Sequence, residues 1–325
     1  MNILILSCGT RNKIIQYFKK ELKGQGKVIA ADCWELAPAL YEADNYYIVP
    51  RISEENYVDI ILGICQKENI SGVFSLIDPE LLILAQNKEK FSRIGTTVFV
   101  SDYEIIDRCF DKIKLFEFCK LNQINTIPTY KNFDEFKKSY ENGDATFPVF
   151  IKPIQGSCSI QAQKIDDMNT LFLLCKENEE LMIQKFMDGQ EYGVDVYTDL
   201  LSNKITAIFI KRKLLMRAGE TDKAVSIVRN DMFDFVEKFV ELLGTVGQID
   251  IDIFEQNGEL YISEVNPRFG GGYPHAYECG VNFPQMMIAN LQGKENESLI
   301  GQYKENVYMM KYLDLKLVND RKQVL

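Results

Sequence analysis

The sequence contains a single histidine and no closely paired cysteines, and it has no excess of basic side chains. Its 325 residues include one histidine, His275, so a histidine-based metal site or a Ser-His-Asp triad would depend on that residue. The eight cysteines are scattered without a C-x-x-C pair, which argues against a zinc site or a disulfide framework and favours reduced thiols in a cytoplasmic protein. The net charge of −10 argues against nonspecific binding to nucleic acid or to anionic membranes.

Long apolar runs are also absent. No stretch approaches the roughly 20 apolar residues that a membrane-spanning helix needs, and the opening MNILILSCGTRNK is predicted to be a first strand and not a signal peptide. With 46% hydrophobic and 26% charged residues, the chain has the composition of a globular protein of two or three domains. Any metal is expected to be a hard, oxygen-bound cation such as Mg²⁺.

The first hundred residues alternate short apolar runs with helical patterns, which predicts a doubly wound parallel sheet. The predicted strands are residues 3–6, 28–31, 47–49, 72–76 and 97–100, and the predicted helices are residues 12–22, 54–68 and 79–87. Ligands of such sheets bind beyond the carboxyl ends of the strands. Arg11 and Glu80, which follow the first and fourth strands, are therefore candidate substrate contacts, with solvated loop charges as the alternative.

The most informative stretch is residues 247–274, GQIDIDIFEQNGELYISEVNPRFGGGYP. Alternation with isoleucines places Asp250 and Asp252 on one face of a strand, and the same period places Glu264 and Asn266 together on the next strand. A two-residue Asn257-Gly258 loop would set Glu264 opposite an isoleucine, whereas a three-residue loop would set it opposite Asp250.

The free-energy cost of burying polar side chains favours the three-residue loop, because this loop brings all four of them onto one face and leaves the isoleucines for the other. Such a set would be costly in a dry core but suits one or two Mg²⁺ ions that bridge nucleotide phosphates. A half-exposed sheet whose polar face contacts water is the alternative. The following Arg268 and three glycines favour a ligand site, because glycines let the backbone approach a ligand and arginine can clamp a phosphate or carboxylate.

At this point the residues resemble the ATP-grasp superfamily, and more closely its stand-alone branch similar to the large subunit of carbamoyl phosphate synthase. SEVNPRF resembles the family's E-x-N-x-R motif. The resemblance implies that Asp250, Glu264 and Asn266 bind Mg²⁺ or Mn²⁺ and that Arg268 contacts the transferred phosphoryl group or the substrate. Asp252 has no firm counterpart and is expected to lie just outside the metal ligands.

Further segments resemble the family's nucleotide site in the same order. The two lysines that bind phosphates in the family are matched by Lys112, in an Asp-Lys pair, and by Lys152, in FPVFIKP. The hinge that binds adenine is matched by MIQKFMDGQE. The implied nucleotide contacts are Lys112, Lys152, Ser157, Ser159, Gln184, Lys185, Phe186, Met187 and Glu191. The loop that contains the two serines is poorer in glycine than in many relatives, which predicts a stiffer loop.

The remaining site residues are less firmly implied. Lys211, Arg212, Lys213 and Arg217 resemble a region that faces the phosphates; the pattern leaves open which of them points inward, and Arg217 is preferred as a catalytic residue. Gly271 and His275, beyond the motif, are candidate substrate contacts together with Arg11 and Glu80. For His275, a structural role is the alternative to a role as a base or substrate contact.

The resemblance implies an α/β domain followed by an α+β, two-lobed ATP-grasp fold. Residues 1–103 would form the doubly wound pre-ATP-grasp domain, 104–187 the small lobe or lid with its linker helix, and 188–325 the lobe with the metal site. The implied function is an ADP-forming ligase that joins a small-molecule carboxylate to an amine through an acyl phosphate, as a cytoplasmic enzyme and possible homodimer. The alternatives are phosphorylation of a small carboxylate, as in carbamoyl phosphate synthesis, and nucleotide binding without catalysis. A nicotinamide-dependent oxidoreductase is disfavoured, since the first strand is not followed by G-x-G-x-x-G.

Overall fold

A computed structural model of the chain describes residues 1–156, 162–178, 180–320 and 323–324. Ser157 and Ser159 lie outside the described residues. Among the described helices, none is long and apolar enough to cross a membrane.

The amino-terminal part is built on a parallel sheet with the strand order β3-β2-β1-β4-β5. Its strands are β1 (Asn2–Leu6), β2 (Val28–Asp32), β3 (Asn45–Ile48), β4 (Ile70–Ser75) and β5 (Thr97–Val98), and its helices are α1 (Asn12–Leu22), α2 (Tyr57–Lys67), α3 (Asp78–Gln86) and α4 (Lys88–Arg93), with a 3-10 turn at Pro38–Glu42. Ile3 and Ile5 belong to a core cluster with Phe18 of α1, whereas Leu4 and Leu6 belong to another with Leu81 of α3. The sheet is therefore covered on both faces, which confirms the predicted doubly wound arrangement.

Two helices and a small antiparallel sheet follow. The helices are α5 (Tyr103–Phe110) and α6 (Lys112–Leu121); the sheet has the order β6-β9-β7-β8, with β6 (Thr129–Tyr130), β7 (Val149–Pro153), β8 (Gln163–Ile165) and β9 (Leu181–Lys185), and its helices are α7 (Phe133–Glu141) and α8 (Met168–Glu177). Asp111 caps α6, because its carboxylate accepts hydrogen bonds from the amides of Ile113 and Lys114. This cap fixes Lys112 in the first turn of the helix.

The rest of the chain forms a larger antiparallel sheet with the order β14-β13-β10-β11-β12-β15. Its strands are β10 (Gln190–Thr198), β11 (Ile205–Arg217), β12 (Glu220–Ile227), β13 (Gly247–Gln256), β14 (Glu259–Asn266) and β15 (Tyr308–Met310), and its helices are α9 (Asn230–Leu243), α10 (Tyr273–Glu278) and α11 (Phe283–Leu291). Val236 and Val240 of α9 share a core cluster with Val194 and Ile251 of the sheet. One face of the sheet is thus covered by α9, and the residues that alternate with this core point to the other face.

The β13–β14 hairpin corrects the predicted register. Gln256 pairs with Glu259 across a two-residue loop, in which Asn257 and Gly258 have φ of 55° and 81°. Between this end and the site the register shifts by one residue, so that β14 contains a bulge. Consequently Asp250 pairs with Asn266, and not with Glu264 as predicted.

Candidate active site

A cleft of about 760 Å³ separates the small sheet from the large one and reaches the carboxyl edge of the parallel sheet. Each part of the chain contributes to its walls. The lining includes Arg11 and Pro79; Lys112, Phe150, Lys152 and Gly156; Glu191, Lys213 and Glu220; and Asp250, Asp252, Phe254, Glu264, Asn266, Arg268 and Gly271. Nine of the sixteen predicted site residues that the structure describes therefore border one cavity.

The floor of the cleft is the open face of the large sheet. Paired residues of an antiparallel sheet share a face, and the pairs include Asp195 with Asp250, Asp250 with Asn266, and Asp252 with Glu264. The bulge in β14 compensates for the two-residue loop, so the predicted grouping of the four polar side chains on one face is confirmed although the register that supported it was wrong.

Asp250, Glu264 and Asn266, the predicted metal ligands, lie together on this face and carry the oxygen donors that a hard divalent cation prefers. Asp250 pairs directly with Asn266, and Glu264 lies two residues before Asn266 on the same face. A Cβ atom on Gly270 would lie 2.5–2.7 Å from the atoms of the Asp250 carboxylate, so the glycine leaves the room that this carboxylate occupies. Burial, and the nearby carboxylates, raise the pKa of Asp250 to about 7 although Lys211 opposes them. A carboxylate in this state would gain from an added cation.

Two buried lysines of β11 point into this face. Nζ of Lys213 lies 2.7 Å from Glu191 and 2.6 Å from Asp252, and Lys211 pairs with Asp195 while its Nζ lies 3.8 Å from Asp250. Five carboxylates (Glu191, Asp195, Asp250, Asp252 and Glu264) thus share the face with two lysines, a formal excess of three negative charges when every group is ionised. That excess is what a bound cation would offset.

The structure corrects the prediction that Arg217, in the same basic stretch as these lysines, is a catalytic residue. The side chain of Arg217 is 66% exposed at the end of β11, where its nearest acidic partner is Asp222 at 3.6 Å. Strand alternation turns Lys211 and Lys213 inward and Arg212 outward. The inward-facing cations are therefore the lysines, and the position of Arg217 argues against a catalytic role.

The two predicted phosphate lysines approach from the other side of the cleft. Lys152, at the end of β7, places its Nζ 3.7 Å from Oε2 of Glu264. Burial lowers the pKa of Lys152, although Glu264 opposes this shift. Lys112 donates from its Nζ to the carbonyl oxygen of Gly156 at 2.7 Å, so it is held at the start of the loop that follows β7. Both ammonium groups face the cavity above the carboxylates.

The predicted adenine hinge is only partly brought to the cleft. Glu191 lines the cavity, but it is already paired with Lys213. Gln184, Lys185, Phe186 and Met187 are not among the described residues that line it. Gln184 is buried and donates to Thr129 at 2.9 Å, which leaves its amide oxygen as an acceptor. These residues remain predicted nucleotide contacts.

Arg268 is buried where the parallel sheet meets the large sheet. Its Nε and Nη2 atoms contact Oδ2 of Asp78 at 3.0 and 2.9 Å, and Nη2 also donates to Oδ1 of Asn266 at 3.1 Å. Burial lowers the pKa of Arg268, but the neighbouring carboxylates, Asp78 first, outweigh it, so the guanidinium remains charged. Asp78 therefore orients an arginine that lies beside a predicted metal ligand.

Arg11 and Gly271 meet at the same end of the cleft. Nη2 of Arg11 lies 2.8 Å from Oε1 of Glu220, and the other carboxylate oxygen accepts from Lys311 at 2.8 Å. Sequence reasoning missed Glu220 and Lys311 as site residues. No local signal marks them, because the tip of the β11–β12 hairpin and the segment after β15 meet Arg11 only in the folded chain.

The structure contradicts the prediction that Glu80 contacts the substrate. Its side chain is completely buried and accepts hydrogen bonds from Tyr57 and Ser75, so both carboxylate oxygens are engaged inside the amino-terminal core. Burial raises the pKa of Glu80, although these hydrogen bonds oppose the shift. The first turn of α3 points Asp78 towards Arg268 and turns Glu80, two residues later, away from it. Its position argues against a substrate contact.

His275 also lies away from the reacting groups. Its Nε2 atom is 2.9 Å from the carbonyl oxygen of Val307, and its ring packs edge-on against Phe209 at 5.1 Å between centroids. Burial lowers the pKa of His275 to about 4. The structural alternative fits this environment, and a role as a base or substrate contact does not.

The fold and the site define an ATP-grasp protein, and comparisons with known proteins agree. The model of the ATP-grasp domain matches residues 109–272, about half of the chain, and that of the PylC-like N-terminal domain matches residues 3–99. The chain therefore belongs to the ATP-grasp family, as the sequence predicted.

Individual relatives are distant. The chain is 26% identical over 250 residues to the carbamoyl phosphate synthase large chain of Clostridium beijerinckii; this match covers 72% of the chain but 22% of that protein's length. The biotin carboxylase domain of Hydrogenobacter thermophilus 2-oxoglutarate carboxylase was solved with MgADP and bicarbonate. It superposes on the chain with a TM-score of 0.77 at 15% sequence identity, and the match covers 94% of this chain and 73% of the carboxylase domain. An L-amino acid ligase of Bacillus licheniformis has a TM-score of 0.70 at 18% sequence identity, and the match covers 90% of this chain and 74% of the ligase. At these identities the solved structures confirm the fold.

Proposed function

We propose that the protein is an ATP-dependent, ADP-forming ligase that joins a small-molecule or amino-acid carboxylate to an amine through an acyl phosphate. The observation that carries this proposal is the arrangement of opposite charges across the cleft. Asp250, Glu264 and Asn266 offer oxygens to a cation, and Lys152 faces them with its Nζ 3.7 Å from Glu264. A nucleotide polyphosphate with its metal requires both kinds of group.

The cleft residues divide the chemistry between them. Asp250, Glu264 and Asn266 would hold Mg²⁺ or Mn²⁺, which neutralises phosphate charge when bound. Lys112, Lys152 and, in this proposal, Ser157 and Ser159 bind the phosphate oxygens and stabilise the charge that spreads over them during transfer. The adenine group is assigned to Gln184 and to the backbone of Lys185, Phe186 and Met187, and the ribose to Glu191.

The proposed reaction needs no protein nucleophile. An oxygen of the substrate carboxylate takes the γ-phosphoryl group of ATP, which releases ADP and forms the acyl phosphate. The amine nitrogen then attacks the acyl carbon, the bond from this carbon to the phosphate oxygen breaks, and inorganic phosphate leaves as the amide forms and the amine proton passes to solvent. We assign to Arg268, which donates to Asn266 and lines the cleft, the orientation of the reacting carboxylate and its phosphate. The small lobe would exclude water, which hydrolyses acyl phosphates.

A matched pair of variants tests the proposal. ADP release is measured with Mg²⁺ and ATP against a panel of amino acids and small acids, each with and without an amine. Glu264→Gln should lower turnover at least about a hundredfold while the fold is retained. Glu259→Gln, an exposed position on the same strand, should leave turnover unchanged. Unchanged turnover in Glu264→Gln would sink the site assignment.

Phosphorylation of a small carboxylate, as in carbamoyl phosphate synthesis, is the second candidate, because curated relatives are named as carbamoyl phosphate synthase large chains. The chain spans about a quarter of the length of those relatives. ADP release that depends on bicarbonate and ammonia, with carbamoyl phosphate trapped as product, would favour this candidate. ADP release that needs both a carboxylate and an amine favours the ligase. The predicted homodimer is measured separately by light scattering.

A further inference from the structure

We propose that the cleft contains a subsite for a second anionic group of the substrate, and that Glu220 blocks this subsite as an internal counter-ion. The inference rests on the proposed ligase function and names its substrate class: a compound with a carboxylate or phosphate group in addition to the carboxylate that is activated. The subsite is the corner of the cleft lined by Arg11, Glu220 and Gly271, where Lys311 contacts Glu220.

Two cations converge on one carboxylate in this corner. Arg11 contacts one oxygen of Glu220 at 2.8 Å and Lys311 contacts the other at 2.8 Å. Although burial alone would raise it, the pKa of Glu220 is held below its usual value by Arg11 and Lys311. Two cations thus contact a single carboxylate here, in a cleft whose floor is rich in carboxylates.

The backbone is shaped to hold this arrangement at the wall of the cleft. A Cβ atom on Gly271 would come within 2.7 Å of the carboxyl carbon of Glu220 and 2.8 Å of Nη1 of Arg11. The absence of a side chain at 271 therefore lets both groups lie against the loop that follows Arg268. Gly271, Glu220, Arg11 and Arg268 all line the same cavity. An anion that displaced Glu220 would thus share one cavity with the reacting groups.

The chemistry of the corner selects an anion over a cation. The guanidinium fork of Arg11 binds a carboxylate or a phosphate through two parallel hydrogen bonds. A substrate ammonium would instead meet two like charges, which disfavour its charged form. Because Glu220 is tethered to the turn after β11, a bound anion has to compete with it.

Two variants should act in opposite directions. Arg11→Met removes the guanidinium and keeps much of the side-chain volume, so it should weaken the binding of acidic substrates. Glu220→Gln removes the competing charge and leaves Arg11 in place, so it should strengthen their binding. A pair that only stabilises the fold would respond in the same direction to both changes.

The test uses three pairs of compounds that differ in one anionic group: L-aspartate and L-asparagine, L-glutamate and L-glutamine, and O-phospho-L-serine and L-serine. ADP release is followed with Mg²⁺, ATP and glycine as the amine, and binding is measured from the thermal midpoint in the presence of MgADP. We expect at least a tenfold preference in kcat/KM for the acidic member of the best pair. Arg11→Met should abolish this preference, and Glu220→Gln should lower the KM for the acidic member at least threefold. Arg93→Met, an exposed control on α4, should change neither.

Three results would refute the proposed subsite. The neutral compound of each pair could react or bind as well as the acidic one, or both Arg11→Met and Glu220→Gln could lose the binding of acidic compounds. The third result is that no acidic compound binds or is turned over. The subsite and the ligase can fail separately. Acidic compounds that bind through Arg11 without ADP release would leave the subsite standing and refute the ligase. ADP release from neutral compounds alone would refute the subsite and leave the ligase standing.

Discussion

The environment of His275 makes a quantitative prediction about stability and pH. Its Nε2 atom donates to the carbonyl oxygen of Val307 at 2.9 Å, which fixes the tautomer in which Nδ1 carries no proton. Nδ1 is buried and has no hydrogen-bond partner among the described residues. A proton on Nδ1 would therefore create a buried charge without an acceptor, and this explains why the pKa of His275 falls to about 4.

Acidification should therefore destabilise the fold through this one residue. The unfolded chain binds a proton near pH 6.5, whereas the folded chain resists it until about pH 4. Stability from this source is fully present above pH 6.5 and is lost as the pH falls towards the folded pKa. The difference amounts to about 2 kcal/mol by pH 5 and about 3 kcal/mol by pH 4. His275→Phe should keep the ring contact with Phe209 and remove this pH dependence.

Urea denaturation of both proteins at half-unit steps from pH 7.5 to 4.5 measures the effect. Carboxylates titrate in both proteins, so the difference in the free energy of unfolding isolates the histidine. Because the chain contains one histidine, the pKa of its imidazole can also be followed by NMR without assignment. A difference that stays constant over this range, or an imidazole that titrates near pH 6.5 and shifts with MgATP, would refute a structural role.

Three other predictions concern the cleft. Lys213→Met should lower the free energy of unfolding by about 3 kcal/mol, since it leaves two carboxylates without their shared cation, and a change below about 1 kcal/mol in urea would contradict this. Gly270→Ala should raise the KM for MgATP at least about tenfold by displacing the Asp250 carboxylate, with the thermal midpoint nearly unchanged; an unaltered KM would count against the metal set. Arg217→Ala should keep ADP release within about twofold of wild type, because its side chain is mostly exposed; a larger loss would restore its predicted role.

The sequence was sufficient for the fold class and for the polar face of the large sheet. Period-two alternation depends only on the strand, so Asp250 and Asp252 could be placed together without a partner strand. The register could not be predicted, because the bulge in β14 is a property of the pairing and not of either strand. The predicted loop was one residue too long and the predicted register lacked the bulge. These two errors offset each other, so the predicted grouping of the four side chains on one face was still correct.

The errors at Glu80 and Arg217 have a different origin. Both residues lie close in sequence to cleft residues, and both side chains point elsewhere. Asp78 and Glu80 differ by two positions on a helix, which turns them towards different surroundings. Lys213 and Arg217 are four positions apart on a strand with two register shifts between them, so alternation no longer relates their directions. Sequence proximity to a site therefore predicts the edge at which a residue lies and not the direction of its side chain.

The distribution of charge in the cleft explains why some of its cations, Lys311 above all, were hard to assign. The acidic residues come from neighbouring strands of one sheet, and local patterns reveal them. Lys211 and Lys213 of the same sheet offset part of this charge. Further cations come from separate parts of the chain: Lys152 from the small sheet, Arg11 from the loop after β1, and Lys311 from the segment after β15. The sequence context of Lys311 is ordinary, and this residue meets Glu220 only in the folded chain. A chain of net charge −10 can in this way concentrate positive charge where anionic substrates would react, and the sequence alone does not reveal that concentration.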